Sequence, residues 1–207
     1  MLDALPGVHC EGEILRNCLP FPRLHPKGRS LLCGNDIYGC KILSHHLRDV
    51  QWTLRNPTEF LRTLHREDGF KVLYLRRTNL LRHALSNIRA RQEGFSRKKG
   101  EQTEAGALEV DPETVIEWMR SSEAYEDYEE RLLEGVPHLS LTYEENIRDP
   151  RHHQETVEDI CEFLGIESAP VQTQYKKMAP PSLREGVANY DALVRRLTGT
   201  RYAKYLE

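Results

Sequence analysis

The stretch that decides the fold is FKVLYLRRTNLLRHALS, from Phe70 to Ser86. Its aliphatic and aromatic run at 72–75 predicts a buried strand over residues 70–76. Arg76 and Arg77 end that run, and a helix is predicted to follow at once. The helix has an apolar stripe at helical spacing, formed by Leu81, Ala84, Leu85 and Ile88. The segment therefore predicts a strand that leads directly into a helix.

The junction between this strand and this helix is a candidate phosphate site. In open α/β sheets, ligands bind outside the carboxyl ends of the strands. A guanidinium group such as that of Arg77 matches a phosphate through paired hydrogen bonds, and Ser86 adds one hydroxyl donor. The alternative is a surface turn whose arginines are solvated or paired with nearby carboxylates.

The same segment resembles the 3′-phosphate-binding segment of sulfotransferases that use 3′-phosphoadenosine 5′-phosphosulfate (PAPS). The likeness is closest to bacterial carbohydrate sulfotransferases, including the nodulation-factor type. Six further segments are similar to that family in the same order: PGVHCEGEIL (6–15), GCKILSHHL (39–47), LTYEENIRDP (141–150), CEFLGI (161–166), SLREGVANY (182–190) and GTRYAKYL (199–206). The resemblance implies one α/β domain over residues 1–207, with a parallel sheet flanked by helices in the P-loop-like sulfotransferase fold.

The activity that the resemblance implies is transfer of a sulfuryl group from PAPS to a hydroxyl of a carbohydrate or glycolipid acceptor, with no metal. Glu13, in the Gly-Glu segment, is implied as the catalytic base. Arg77 and Ser86 are implied to bind the 3′-phosphate. Arg184 and Gly186 match the loop that closes over the nucleotide. A carboxylate suits the role of base when its environment raises its pKa toward the working pH.

Each of these roles has rivals. Glu13 is alternatively a turn carboxylate without a catalytic role, and four other residues could serve as the base or be ordinary polar residues: Glu11, His9, His45 and His46. Lys41 either neutralises the sulfuryl group, anchors the acceptor or is solvated. The basic run from Arg97 to Lys99 either lines the substrate mouth or is a solvated loop.

The N-terminus departs from the family pattern. The family opens with a strand, a Ser-Gly-Thr-type loop that cradles the 5′-phosphosulfate, and a helix that leads to the Gly-Glu segment. Residues 1–5 here resemble the last turn of that helix, and Gly-x-x-x-x-Gly-Lys does not occur in the sequence. We therefore expect the first strand and its phosphate loop to be absent from this chain. Little activity, and dimerisation or aggregation through an open sheet edge, are the expected consequences.

Two other functions stay open at this point. One is a non-catalytic relative that binds a nucleotide or acts as an interaction protein. The other is a nucleotide kinase or ATPase of related architecture, which the lack of Walker-type residues disfavours.

Composition excludes several classes of function. The net charge of −3 over 207 residues gives no electrostatic footprint for general nucleic-acid binding. Five cysteines without Cys-x-x-Cys spacing predict reduced thiols in a cytoplasmic protein and disfavour zinc. No apolar run approaches the roughly 20 residues of a membrane span, and no signal peptide is expected.

The remaining elements are predicted from periodicity, capping residues, glycine and proline. In chain order they are a loop at 16–38, a helix from Asn56 to Gly69, a mobile excursion at 93–110, a helix from Asp111 to Gly135 with an aromatic stripe (Trp118, Tyr125, Tyr128) in the core, a strand at 138–143 and a helix from Asp149 to Gly165. The alternation of strands and helices along the chain favours a parallel sheet with helices on both faces.

Overall fold

The computed structural model of the protein describes residues 1–93, 106–171 and 182–206. They form a mixed α/β structure in which short parallel strand pairs are flanked by helices. The chain divides into two compact units, each built from two separate segments. Unit 1 comprises Met1–Arg76 and Tyr125–Gln174, and unit 2 comprises Arg77–Ala124 and Tyr175–Glu207. The first boundary between the units falls between Arg76 and Arg77.

The helices follow one another along both units. In chain order they are α1 (His25–Leu32), α2 (Pro57–Arg66), α3 (Leu80–Glu93), α4 (Pro112–Leu132), α5 (His153–Leu164), α6 (Leu183–Gly186) and α7 (Tyr190–Leu197). Short 3₁₀ or π-helical turns occur at Leu2–Ala4, His46–Val50, Tyr143–Ile147, Pro150–His152 and Ala203–Tyr205. No helix of the described ranges has the length and apolar character needed to cross a bilayer.

The strands of the described residues all lie in unit 1, as β1 (Val8–Glu13), β2 (Ile37–Lys41), β3 (Val72–Arg76) and β4 (His138–Thr142). β1 pairs in parallel with β2, and β3 pairs in parallel with β4. The predicted strands at 70–76 and 138–143 are therefore confirmed as strands. The expected burial of the first is wrong: the residues of β3 are half-buried or exposed, and Leu75 is 53% exposed. The single predicted sheet is not seen: within the described ranges the pairs remain two separate two-stranded sheets.

Helix α2 forms as its capping residues predict. The Asn56 side chain accepts a hydrogen bond from the Glu59 N–H at 3.0 Å, and Pro57 occupies the first turn, where its missing N–H is not needed. The inward residues of the helix, Phe60, Leu61 and Leu64, are buried. The helix ends at Arg66, a few residues before Gly69 takes a positive φ of 74°.

The predicted loop at 16–38 is wrong in part. Helix α1 occupies its middle, and β2 begins at Ile37. Pro26 and Gly28 suggested irregular structure, but Pro26 lies in the first turn of the helix, where proline is tolerated.

The predicted mobile excursion at 93–110 is wrong at its end. Leu108 and Val110 are buried, and Leu108 forms a parallel bridge with Val187. Residues 94–105, including the basic run from Arg97 to Lys99, lie outside the described residues.

Each unit has its own apolar core. Unit 1 contains one cluster around Leu15, Phe60 and Val136 and a second around Val8 and Val157. The core of unit 2 is formed by buried residues of α3, α4 and α7 with Leu108 and Val187. As predicted, Tyr128 packs against the first cluster of unit 1 and Trp118 against the core of unit 2.

Tyr125 departs from the predicted core stripe. Its hydroxyl donates to Asp49 Oδ2 at 2.5 Å, and the Arg48 guanidinium lies 3.7 Å from the centre of its ring. Tyr125 therefore takes part in a polar contact rather than in apolar packing.

Candidate functional site

The residues predicted for the site belong to different units. Glu13 is the last residue of β1, in unit 1. Arg77, Ser86, Arg184 and Gly186 belong to unit 2. Two local clusters result, and each has its own chemistry.

The first cluster gathers around the Glu13 carboxylate. A β-bulge between Glu11 and Glu13 sets Glu13 opposite Lys41, the last residue of β2. The Lys41 ammonium group donates to Glu13 Oε1 at 3.0 Å, and His46 Nε2 lies 3.6 Å from Oε2. The Glu13 side chain is 31% exposed and that of Lys41 58% exposed. A carboxylate and an ammonium group thus stand together, open to solvent, at the carboxyl ends of two parallel strands, which is where α/β sheets bind ligands.

His46 lies behind Glu13 and is buried. The Leu43 N–H donates to its Nδ1 at 3.3 Å, so the neutral ring carries its proton on Nε2, facing Glu13. Nε2 has no hydrogen-bond partner within 3.5 Å among the described residues. Burial lowers the pKa of His46, which keeps the ring neutral.

The rival bases differ from Glu13 in their surroundings. In its neutral form His46 has one nitrogen occupied and the other protonated, so it is a donor rather than a base. The Glu11 carboxylate is held by Arg29 Nε at 2.9 Å and by the Tyr38 hydroxyl at 2.6 Å. His9 and His45 are exposed.

The environment of Glu13 lowers its pKa instead of raising it. The hydrogen bond from Lys41 is the main cause, and the charge of Lys41 and the neighbouring histidines act in the same direction. Glu13 is therefore ionised at neutral pH. It can accept a proton there, but it is a weaker base than an ordinary glutamate.

The second cluster surrounds the start of α3 in unit 2. Arg77 is half-buried, just before the helix, and Ser86 is exposed on the helix. The Asn79 side chain accepts from the Arg82 N–H at 2.9 Å and so caps the first turn of α3. This cap fixes where the helix begins relative to the preceding arginine.

The segment 182–190 is fastened to α3 by a residue that sequence reasoning missed. The Arg89 guanidinium donates to the Gly186 carbonyl at 3.1 Å and to the Gly106 carbonyl at 2.9 Å. Arg89 lies about one helical turn after Ser86, on the half-buried part of the helix. That spacing from Ser86 was the only signal in the sequence that could have identified it.

Arg184 is engaged within its own segment. Its guanidinium donates to Asp191 Oδ1 at 3.1 Å and lies 4.9 Å from the centre of the Tyr190 ring. The side chain is 70% exposed. To bind a phosphate it must leave Asp191, which costs little for an exposed ion pair.

The described ranges contain no group of three or more His, Cys, Asp or Glu side chains arranged to hold a metal ion. The five cysteines are unpaired, and burial raises the pKa of Cys40 to about 12, so its thiol stays protonated.

Comparisons of the chain with protein-family models, with curated proteins and with solved structures find no match. A functional assignment therefore depends on the chemistry of the two clusters and on the sequence resemblance.

Proposed function

We propose that the protein is a sulfotransferase that moves a sulfuryl group from PAPS to a hydroxyl of a carbohydrate or glycolipid acceptor. The observation that carries this proposal is the contact between Glu13 and Lys41 at the carboxyl ends of β1 and β2. Sulfuryl transfer needs a base for the acceptor hydroxyl and a positive charge for the transferred group. These two residues supply both.

In the proposed reaction the acceptor oxygen forms a bond to sulfur, and the bond between sulfur and the phosphate oxygen of PAPS breaks. The hydroxyl proton passes to the Glu13 carboxylate, and adenosine 3′,5′-diphosphate leaves. Lys41 offsets the charge on the sulfuryl oxygens, and His46 Nε2 lies 3.6 Å from the other oxygen of Glu13.

Nucleotide binding is assigned to unit 2. Arg77 and Ser86 supply a guanidinium and a hydroxyl, a donor set that suits a 3′-phosphate. Arg89 holds the Gly186 carbonyl and thereby the segment proposed to close over the nucleotide.

A nucleotide-binding protein without transferase activity is the second candidate. It is favoured by the lowered pKa of Glu13, which weakens the proposed base. Nucleotide affinity and turnover, measured on the same protein, separate the two functions.

The test combines calorimetry with a PAPS-consumption assay. Arg77→Ala is expected to weaken adenosine 3′,5′-diphosphate binding by more than about 1.5 kcal/mol, and Ser86→Ala by less. A guanidinium group forms paired bonds to phosphate with charge on both partners, whereas a hydroxyl forms one bond with charge on the phosphate alone. Arg195→Ala, at an exposed arginine of α7, is the control and should leave affinity unchanged. Equal affinity in all three variants would remove the phosphate site, and binding without PAPS turnover would favour the second candidate.

A further inference from the structure

Unit 1 exposes a group of large apolar side chains around α1. Phe21 is 72% exposed, Leu32 is 84% exposed and Trp52 is 79% exposed. Leu24 and Leu31 are also exposed by more than half. Exposed apolar side chains are ordinary when scattered, but a contiguous group marks a binding surface.

The following contacts bring these residues near one another. Phe21, Leu24 and Leu32 line the same surface depression, of about 370 Å³, and Leu31 adjoins Leu32 on α1. Leu19 lines it too, and its N–H donates to Gln51 Oε1 at 3.0 Å. The Thr53 hydroxyl donates to the Leu19 carbonyl at 3.2 Å, so the chain on both sides of Trp52 is fastened to the rim of the depression. We call Phe21, Leu24, Leu31, Leu32 and Trp52 the apolar surface.

The chain around the apolar surface is basic. No acidic residue occurs between Glu13 and Asp36, whereas four basic ones do: Arg16, Arg23, Lys27 and Arg29. Lys27 pairs with Asp68 at 2.6 Å and Arg29 with Glu11 at 2.5 Å. Arg16 and Arg23 are exposed and form no ion pair with any other described residue. The positive charge is local, because the whole chain has a net charge of −3.

We propose that the apolar surface, with Arg16 and Arg23, binds the face of a lipid bilayer that carries anionic headgroups. Leucine and phenylalanine side chains enter the boundary between headgroups and acyl chains, and arginines attract the anionic headgroups. A tryptophan beside them suits the interfacial depth that this side chain prefers. The binding is peripheral and does not depend on the transferase activity proposed above.

Vesicle sedimentation of the full chain tests the proposal. With phosphatidylcholine vesicles that contain phosphatidylglycerol, the wild-type protein is expected to sediment, and with phosphatidylcholine alone much less. Arg16→Gln with Arg23→Gln should weaken binding about 10- to 30-fold, given the usual contribution of each cation near an anionic surface. Leu31→Ser with Leu32→Ser should weaken it by at least about tenfold through lost apolar burial. Arg131→Gln with Arg195→Gln removes the same charge from exposed positions elsewhere and should have little effect.

Fluorescence locates the contact independently. Trp52 and Trp118 are the two tryptophans of the chain, so Trp118→Phe leaves Trp52 as the sole indole reporter. Its emission should shift to the blue on adding the anionic vesicles and should be quenched by brominated acyl chains. An unshifted Trp52 in the presence of bound vesicles would overturn the proposed face.

Two further results would also overturn the proposal. One is an equal loss of vesicle binding in the Arg131→Gln, Arg195→Gln control and in the Arg16→Gln, Arg23→Gln variant. The other is a wild-type protein that ignores vesicles but forms dimers in analytical ultracentrifugation, with the Leu31→Ser, Leu32→Ser variant monomeric. The surface would then bind a second copy of the chain instead of lipid.

Discussion

At the scale of single residues, Glu13 meets two opposing demands. A general base acts best when its pKa lies near the working pH, yet the hydrogen bond from Lys41 favours the ionised carboxylate. The same contact places a positive charge beside the proposed site of reaction. In the proposed reaction, this arrangement would favour neutralisation of the transferred group over the strength of Glu13 as a base.

The contacts of Glu13 predict an order of pKa values. Lys41→Met should raise the pKa of Glu13 most, and His46→Phe should raise it less, because Lys41 is the largest cause of the lowering. Carbon-13 NMR of the labelled Glu13 carboxyl measures this, with Lys204→Met as a control that removes a lysine from unit 2. In an activity assay the acidic limb of the pH profile should move to higher pH in Lys41→Met. A carboxyl titration unaffected by Lys41→Met would contradict the assigned contact.

The sequence identified some residues of the Glu13 cluster but did not distinguish others. The Gly-Glu and Gly-x-Lys segments pointed to Glu13 and Lys41, and the structure brings the two side chains together. His45 and His46 could not be told apart, because only the π-helical turn at His46–Val50 turns one ring inward and leaves the other exposed. The inward position of His46 depends on local backbone geometry, and two consecutive histidines in the sequence do not show which of them will be buried.

At the scale of elements, capping residues were the most reliable guide. Local signals such as Asn56 before Pro57, or Gly165 with its left-handed backbone after α5, act within one helical turn and were read correctly. Strand pairing depends on residues far apart in the chain, so the division into two sheets could not be predicted. Helix α1 was missed because its proline and glycine are also what a loop contains.

Position 39 of β2 leaves little room for a side chain larger than that of glycine. Gly39 faces Cys10 in the register, and a Cβ at Gly39 would lie 3.1 Å from Cys10 Sγ. Gly39→Ala should therefore destabilise the protein by about 1 kcal/mol or more, as overpacking does. Urea denaturation measures the loss. Adding Cys10→Ala should recover it, since this change removes the opposing sulfur atom.

Gly12→Ala is the matched control for this experiment. Gly12 lies in the partner strand β1, and a Cβ there has no neighbouring atom within 4 Å. An equal loss of stability in Gly12→Ala and Gly39→Ala would show that general strand distortion, and not the contact with Cys10, is responsible.

At the scale of the whole molecule, ion pairs make the fold sensitive to acid. Hydrogen bonds from Arg29 and Tyr38 lower the pKa of Glu11, and bonds from Arg48 and Tyr125 lower that of Asp49. A carboxyl group whose pKa is lower in the folded state stabilises the fold above its unfolded pKa. That stabilisation is lost as the pH falls through the folded value. The Glu11 side chain is 26% exposed and that of Asp49 is 49% exposed, so solvent screens both ion pairs and each contribution is modest and salt-dependent.

We therefore expect the free energy of unfolding to fall between neutrality and about pH 3. Urea denaturation at a series of pH values measures the slope. Glu11→Gln and Asp49→Asn together should flatten it, while Glu130→Gln, at an exposed glutamate of α4, should not. If the free energy of unfolding changes with pH equally in the wild type, the Glu11→Gln, Asp49→Asn variant and Glu130→Gln, then other groups are responsible for the acid sensitivity.

Association through sheet edges remains a prediction at this scale. Within the described ranges each sheet has two strands, so the outer backbone groups of each strand lack a strand partner. Leu75 of β3 is 53% exposed. Exposed edges of this kind promote pairing between chains, and size-exclusion chromatography would reveal the resulting dimers.

The division of unit 1 into two chain segments also sets an order of events during synthesis. β1 and β2 pair Val8 with Ile37, so both partners leave the ribosome early. β3 must wait for β4, because Val72 pairs with His138, beyond the whole first segment of unit 2. In the same way, the core around Leu15 and Phe60 is complete only after Leu132 and Val136 have been synthesised. The nascent chain therefore carries an unpaired apolar strand while it is still growing, and slow elongation between these partners prolongs its exposure to misassembly.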